Sequence, residues 1–211
     1  MLIALLAAQA AAAALPLAAP YPIDAEKWFS PDDYPTDQMD GAQTVFQPVT
    51  QTLVNVDGKI IGCRVETASR SAKMDALACA IILKRGRFEP ARWMDGTSVP
   101  GVYRWPVSFM IDGDDYERFS DIEIQVGHLP DNKKSEFVTV AFSSDAEGKI
   151  EECVGARPVR RKEKPANPQL VSIACKAVKA DWKPFVVLGT DRKPSRSVQN
   201  AIVKFAAEAQ R

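Results

Sequence analysis

Histidine is almost missing from this 211-residue chain, where His128 is the only one. Multi-histidine metal sites are thereby excluded, and any imidazole chemistry falls to one side chain. Net charge is missing as well. Lys+Arg and Asp+Glu both number 27, whereas a nucleic-acid binder carries a basic excess. The balance holds by halves: residues 1–112 carry 10 basic and 12 acidic side chains, and residues 113–211 carry 17 and 15. Nucleic acid is therefore not an expected partner. There is no Gly-x-Gly-x-x-Gly or other phosphate loop. There is no Cys-x-x-Cys, which speaks against both a structural zinc site and a thioredoxin-type redox motif. No metal and no cofactor is expected. Hydrophobic residues at 46% and charged residues at 26% are ordinary globular values, so wholesale disorder is excluded.

Polar residues are scarce at the start. Between Leu2 and Ala19 the only strongly polar side chain is Gln9, and the first Lys is Lys27. An apolar run followed by Ala-x-Ala residues has the pattern of a secretory signal, though without a basic n-region. Candidate cleavage positions lie near Ala10, Ala14 and Ala19. The alternative is an uncleaved signal anchor in the inner membrane, which Pro16 and Pro20 disfavour. Residues 1–19 are thus read as signal peptide or anchor, and the periplasm as the compartment. The four cysteines, Cys63, Cys79, Cys153 and Cys175, read as disulfides in an exported chain.

The chain also repeats itself. Asp57-Gly58-Lys59-Ile60-Ile61-Gly62-Cys63 is echoed by Glu147-Gly148-Lys149-Ile150-Glu151-Glu152-Cys153. Each is an acidic-Gly hairpin signal beside β-prone runs, Val45–Val56 in the first case and Phe137–Phe142 in the second. A helical stripe follows each: Met74, Leu77, Ala78, Ile81 and Ile82, then Leu170, Ile173, Ala174, Ala177 and Val178. The stripes, and with them Cys79 and Cys175, stand 96 residues apart. Phe88-Glu89-Pro90 and Trp182-Lys183-Pro184 come next, then closing strands around Val102–Ile111 and Val198–Phe205. Ser30-Pro31-Asp32-Asp33 predicts a short capped helix in the first copy alone. The fold class is therefore α+β. Two tandem units are expected, each a small antiparallel sheet of hairpin, helix and strand with the helix on one face. The repeat pairs Cys63 with Cys79 and Cys153 with Cys175, at ~3 kcal/mol each in the chain-entropy model.

The first copy resembles the TonB C-terminal domain. The residues that carry the likeness are Asp33-Tyr34-Pro35, the Val-rich strand, Asp57-Gly58-Lys59-Ile60, the helix with Met74-Asp75-Ala76 and Ala80, and Arg87-Phe88-Glu89-Pro90. Gly96 and Val99 then precede the last strand. The likeness covers about residues 28–112, and residues 113–211 form a second, degenerate copy. No long Pro-rich spacer is present, so the resemblance implies the fold and a periplasmic binding role rather than energy transduction. It also implies a partner such as an outer-membrane receptor or another envelope protein, because the family's sheet edge takes the short box peptide of such receptors.

A candidate edge lies on the first closing strand. Tyr103, Trp105 and Phe109 sit on it, interrupted by Pro106, and a proline marks an edge or a bulge. An edge strand can add a peptide through its backbone. Val102, Tyr103, Arg104, Trp105, Val107 and Phe109 are the expected peptide-binding residues. The alternative is that these aromatics fill the core or the contact between copies. His128 reads as a linker residue, Asp112, Asp114 and Asp115 as a boundary turn rather than a calcium loop. Arg157, Arg160, Arg161, Lys162 and Lys164 read as a solvated loop. With no catalytic constellation in sight, the chain is not expected to be an enzyme. A disulfide-stabilised scaffold is the competing class to a binding protein.

Overall fold

The same turn is built twice. In the first, Gly58 has φ 80°, and the Asn55 side-chain oxygen accepts from the amides of Asp57 and Lys59 at 3.0 and 2.8 Å. In the second, Gly148 has φ 83°, and Asp145 Oδ1 accepts from the Lys149 amide at 2.7 Å. Left-handed backbone favours glycine. At Gly58 a Cβ would also lie 2.3 Å from the Phe88 carbonyl oxygen. The first turn joins β1 (Val49–Val54) to β2 (Ile60–Thr67). Helix α1 (Ala72–Arg85) follows, N-capped by Ser71, and then β3 (Gly101–Pro106).

The second half opens with β4 (Ile122–Val126). A hairpin of β5 (Ser135–Ser144) and β6 (Ile150–Gly155) comes next. Helix α2 (Pro168–Asp181), capped by the Asn167 side chain with Pro at its first turn, leads to β7 (Ser197–Ala207). This computed structural model describes residues 17–35, 37, 45–110, 117–159, 164–189 and 191–208. Most of the expected signal segment, the Asp112–Asp115 boundary, and Arg160, Arg161 and Lys162 lie outside the described residues. Among the described residues no helix is long and apolar enough to cross a membrane.

Strands dominate, with two long helices, so the α+β class holds. The expectation of one small antiparallel sheet per unit is corrected. A single sheet runs β6-β5-β7-β3-β1-β2, with β4 also on β7. The two halves meet where β7 runs parallel to β3, Val198 beside Gly101 and Gln199 beside Val102. The physical reason is that each unit alone would leave one edge of its closing strand unpaired, and joining removes both edges. β4 then fills the rest of the same side of β7, in parallel register from Ile122–Val203 to Val126–Ala207.

The helices lie on opposite faces of this sheet. Side chains opposite each other on paired strands share a face and alternate along each strand. Tyr103 and Trp105 join the α1 cluster with Met74, Ala78, Ile81 and Ile82. Gln199, beside Val102, shares the other face with Ala201, Val203 and Phe205, which pack under Leu170, Ala174 and Val178 of α2. Ile173 is left 39% exposed, and partly buried Val171 packs in its stead. The expected stripe is thus right for α1, and in α2 it holds at Leu170, Ala174 and Val178 but not at Ile173.

Both disulfides are present, Cys63–Cys79 and Cys153–Cys175, with sequence separations of 16 and 22. Each ties the outermost strand to its helix. A third cluster, Leu17, Ala91, Val99, Ala141 and Val198, sits over the junction. Ala18 exchanges two backbone hydrogen bonds with Arg92, at 3.0 and 2.9 Å. Gly101 leaves room there: a Cβ would meet Pro20 Cγ at 2.5 Å and the Val198 carbonyl at 2.7 Å. The expected short helix is one 3-10 turn, Pro31–Asp33, with Ser30 and Asp33 forming a capping box.

Candidate functional site

The expected peptide-binding strand is interior. β3 pairs antiparallel with β1 over its whole length, from Val49–Pro106 to Val54–Gly101. On its other side Val102 is paired with Gln199. Beyond that pair, Asn200 Oδ1 accepts the Arg104 amide at 2.7 Å, and Asn200 Nδ2 donates to the Arg104 carbonyl at 3.0 Å. Val107 donates its amide to the Pro48 carbonyl at 3.0 Å, and Phe109 pairs with Phe46. A free edge at Val102, Tyr103, Arg104, Trp105, Val107 and Phe109 is therefore corrected: β1 pairs one side of the strand, the second half occupies the other at Val102 and Arg104, and Val107 and Phe109 bond within the first half.

The aromatics there pack inward. Trp105 makes edge contacts with Trp28, Phe29 and Tyr103, and Phe109 with Phe29 and Tyr34. These rings carry the packing of the N-terminal segment onto the sheet. The Arg104 side chain, only 6% exposed, is ion-paired to Glu66 of β2 and to Asp121, whose side chain is 1% exposed. Its guanidinium lies 4.6 Å from the Trp182 ring centroid. Burial pulls its pKa down, and the hydrogen bond and charge of Glu66 oppose this. Asp121 Oδ2 also accepts the Ile202 amide at 2.7 Å. The cluster is a charge-compensated joint between the two halves. Sequence reasoning missed it because its three charges come from three separate segments.

Among the described residues, the open edges are the outer strands. Successive residues of a strand direct their amide groups to alternate sides. Arg104 faces β7, so Tyr103 and Trp105 face β1. Their partners Thr52 and Thr50 face β3, which leaves Gln51 and its partner Arg64 facing each other. Cys63 and Val65 thus turn their amide groups away from the sheet. On β6 the inward amide of Glu152 donates to Ser143 Oγ at 3.0 Å, so the Glu151 carbonyl faces out. There it accepts Lys179 Nζ at 2.6 Å. A lysine and two exposed glutamates blunt that edge.

The helix flanks beside these edges also differ. Residues three before, one after and four after each helix cysteine follow one another at i, i+4 and i+7 and form one row beside it. In α1 they are Ala76, Ala80 and Leu83, all exposed, Leu83 at 51%. In α2 they are Ser172, Lys176 and Lys179, and with Cys153, Cys175, Pro168 and Val171 they line a groove of about 400 Å3. The first flank is apolar and the second cationic.

Elsewhere, His128 is exposed on a loop. Arg157 stacks on Tyr21, 3.2 Å from its ring centroid, and pairs with Glu89 at 2.8 Å. Among the described residues no group of three His, Cys, Asp or Glu side chains is placed to hold a metal. No protein-family model, curated protein or solved structure matches the chain.

Proposed function

We propose that the chain is a periplasmic, non-enzymatic, TonB-like binding protein. Two tandem units of the TonB C-terminal kind, the second degenerate, build it. It binds a protein or peptide at a sheet edge and is associated with TonB-dependent transport. The edge is β2. The observation that carries this reading is the outward amide groups of Cys63 and Val65, bordered by the apolar flank Ala76, Ala80 and Leu83. The two disulfides are compatible with an oxidising compartment. The partner is an outer-membrane receptor or another envelope protein that offers an extended segment, held by backbone bonds with side chains over the α1 flank.

A scaffold without ligand is the second reading. It is favoured by the closed β3–β7 joint, which spends two sheet edges on internal pairing. The test is titration of the isotope-labelled full chain with peptides from the periplasmic segments of outer-membrane receptors. Amide shifts centred on Cys63 and Val65 support edge binding. A stable compact monomer that binds none of them supports the scaffold.

A further inference from the structure

The two disulfides stand in matched positions with unmatched surroundings. Cys79 is flanked on its helix by Ala76, Ala80 and Leu83, and Cys175 by Ser172, Lys176 and Lys179. Among the described residues, Cys153 and Cys175 line an open groove, and both lysines line it with them. We propose that Cys153–Cys175 is a thiol–disulfide exchange site, and that its substrate class is a small or protein-borne dithiol.

The chemistry follows from the groove. An incoming thiolate attacks one sulfur of the pair and forms a mixed disulfide. The S–S bond breaks, and its electron pair leaves on the other cysteine as a thiolate. The second thiol of the reductant then attacks the mixed disulfide, which yields two protein thiols and an oxidised dithiol. Access and leaving-group acidity govern the rate. The groove supplies access, and the ammonium groups of Lys176 and Lys179 favour the departing thiolate. Cys63–Cys79 lacks both cations and serves as a control inside the same molecule. Exchange releases the outer strand β6 from α2 without touching the β3–β7 joint. The inference is independent of peptide binding at β2.

The test is a time course of the folded full chain with dithiothreitol in native buffer, quenched by alkylation and read by peptide mapping. The expected result is that Cys153 and Cys175 are alkylated about three- to ten-fold faster than Cys63 and Cys79. High salt and the double variant Lys176→Ala, Lys179→Ala narrow that gap. The converse variant Ala80→Lys, Leu83→Lys speeds reduction of the first disulfide, and it keeps the test decisive if the alanine variant misfolds. Equal rates, faster reduction of Cys63–Cys79, or indifference to the introduced lysines overturns the proposal.

Discussion

Asn200 takes the place of a strand residue against Arg104. Its side-chain amide accepts from the Arg104 amide at 2.7 Å and donates to the Arg104 carbonyl at 3.0 Å. Both residues are buried, at 2% and 6% exposure. One side chain therefore continues the parallel ladder after the Gln199–Val102 pair, where β7 and β3 no longer pair through their backbones. Asn200→Ala strands an amide and a carbonyl away from water. Each such group costs about 1–3 kcal/mol, so a loss of about 2–6 kcal/mol is expected in urea unfolding. Asn200→Asp should fail to rescue, since a carboxylate faces the Arg104 carbonyl. A change below about 0.5 kcal/mol in both variants would contradict this joint.

The disulfides should contribute nearly equally to stability. In the chain-entropy model the cost of closing a loop depends on the logarithm of its length. Separations of 16 and 22 then differ by only about 0.3 kcal/mol. Cys63→Ala with Cys79→Ala, and Cys153→Ala with Cys175→Ala, should each cost about 3 kcal/mol. Non-reducing peptide mapping of the native protein should recover the two pairs. A cross-half bridge, or one pair worth several times the other, would count against the matched strand-to-helix placement.

A proline at Val107 should destabilise the fold. It removes the amide that donates to Pro48 at 3.0 Å, and Val107 is 3% exposed. A clear fall in melting temperature is the expected outcome. Proline at Val65 bears on the other edge. The Val65 amide faces away from β1, so the β1–β2 ladder survives, while a bound peptide strand loses a donor. Binding at β2 should weaken while the fold stays intact. Arg64→Pro, which removes an inward donor, should instead lower the melting temperature. If Arg64→Pro and Val65→Pro behave alike, the assigned alternation along β2 is wrong.

How much of this was legible in the sequence depends on range. The Gly58 and Gly148 turns, the α1 stripe and the cysteine pairing are encoded locally, and the repeat states each of them twice. The β3–β7 joint rests on two registered pairs and one asparagine, between residues about a hundred positions apart, and no local pattern announces it. Ile122, Ile124 and Val126 do alternate with period two, a strand signal. Their partner on β7 is nevertheless fixed only by the joined sheet. The alternation of Tyr103 and Trp105 places both on one face without revealing that Trp28 and Phe29 cover it. The outward edge at Cys63 and Val65 required the register, which a sequence does not contain.

Acid should loosen the N-terminal segment before the sheet. Asp33 accepts two bonds from Arg85, one of them 2.8 Å from Nη2 to Oδ1, and one from the Ser30 amide at 2.8 Å. The Arg85 hydrogen bond, first of all, holds its pKa below the usual carboxylate range. A depressed folded pKa stabilises above the unfolded value of about 3.9 and loses that contribution as pH falls through the folded value. Melting temperature should therefore fall below about pH 4. Asp33→Asn should lower stability at neutral pH and flatten that acid limb. An unchanged acid limb in the variant would remove Asp33 from the explanation.

The segment that starts at Leu17 belongs to the folded body, and this bears on processing. Leu17 is 4% exposed in the junction cluster, and Ala18 makes two backbone bonds with Arg92. Burial of one leucine stabilises by about 1.5–3 kcal/mol, and two net hydrogen bonds add about 1–3 kcal/mol. Of the candidate cleavage positions, Ala10 and Ala14 retain Leu17 and Ala18, whereas cleavage after Ala19 removes both. A chain that starts at Leu15 should melt like the longest form, and one that starts at Pro20 should lose several kcal/mol. On the proposed periplasmic reading, intact mass and N-terminal sequencing of the mature protein should place its first residue at or before Leu17. A mature chain that starts at Pro20 with undiminished stability would show that the Leu17–Arg92 docking contributes nothing to the fold.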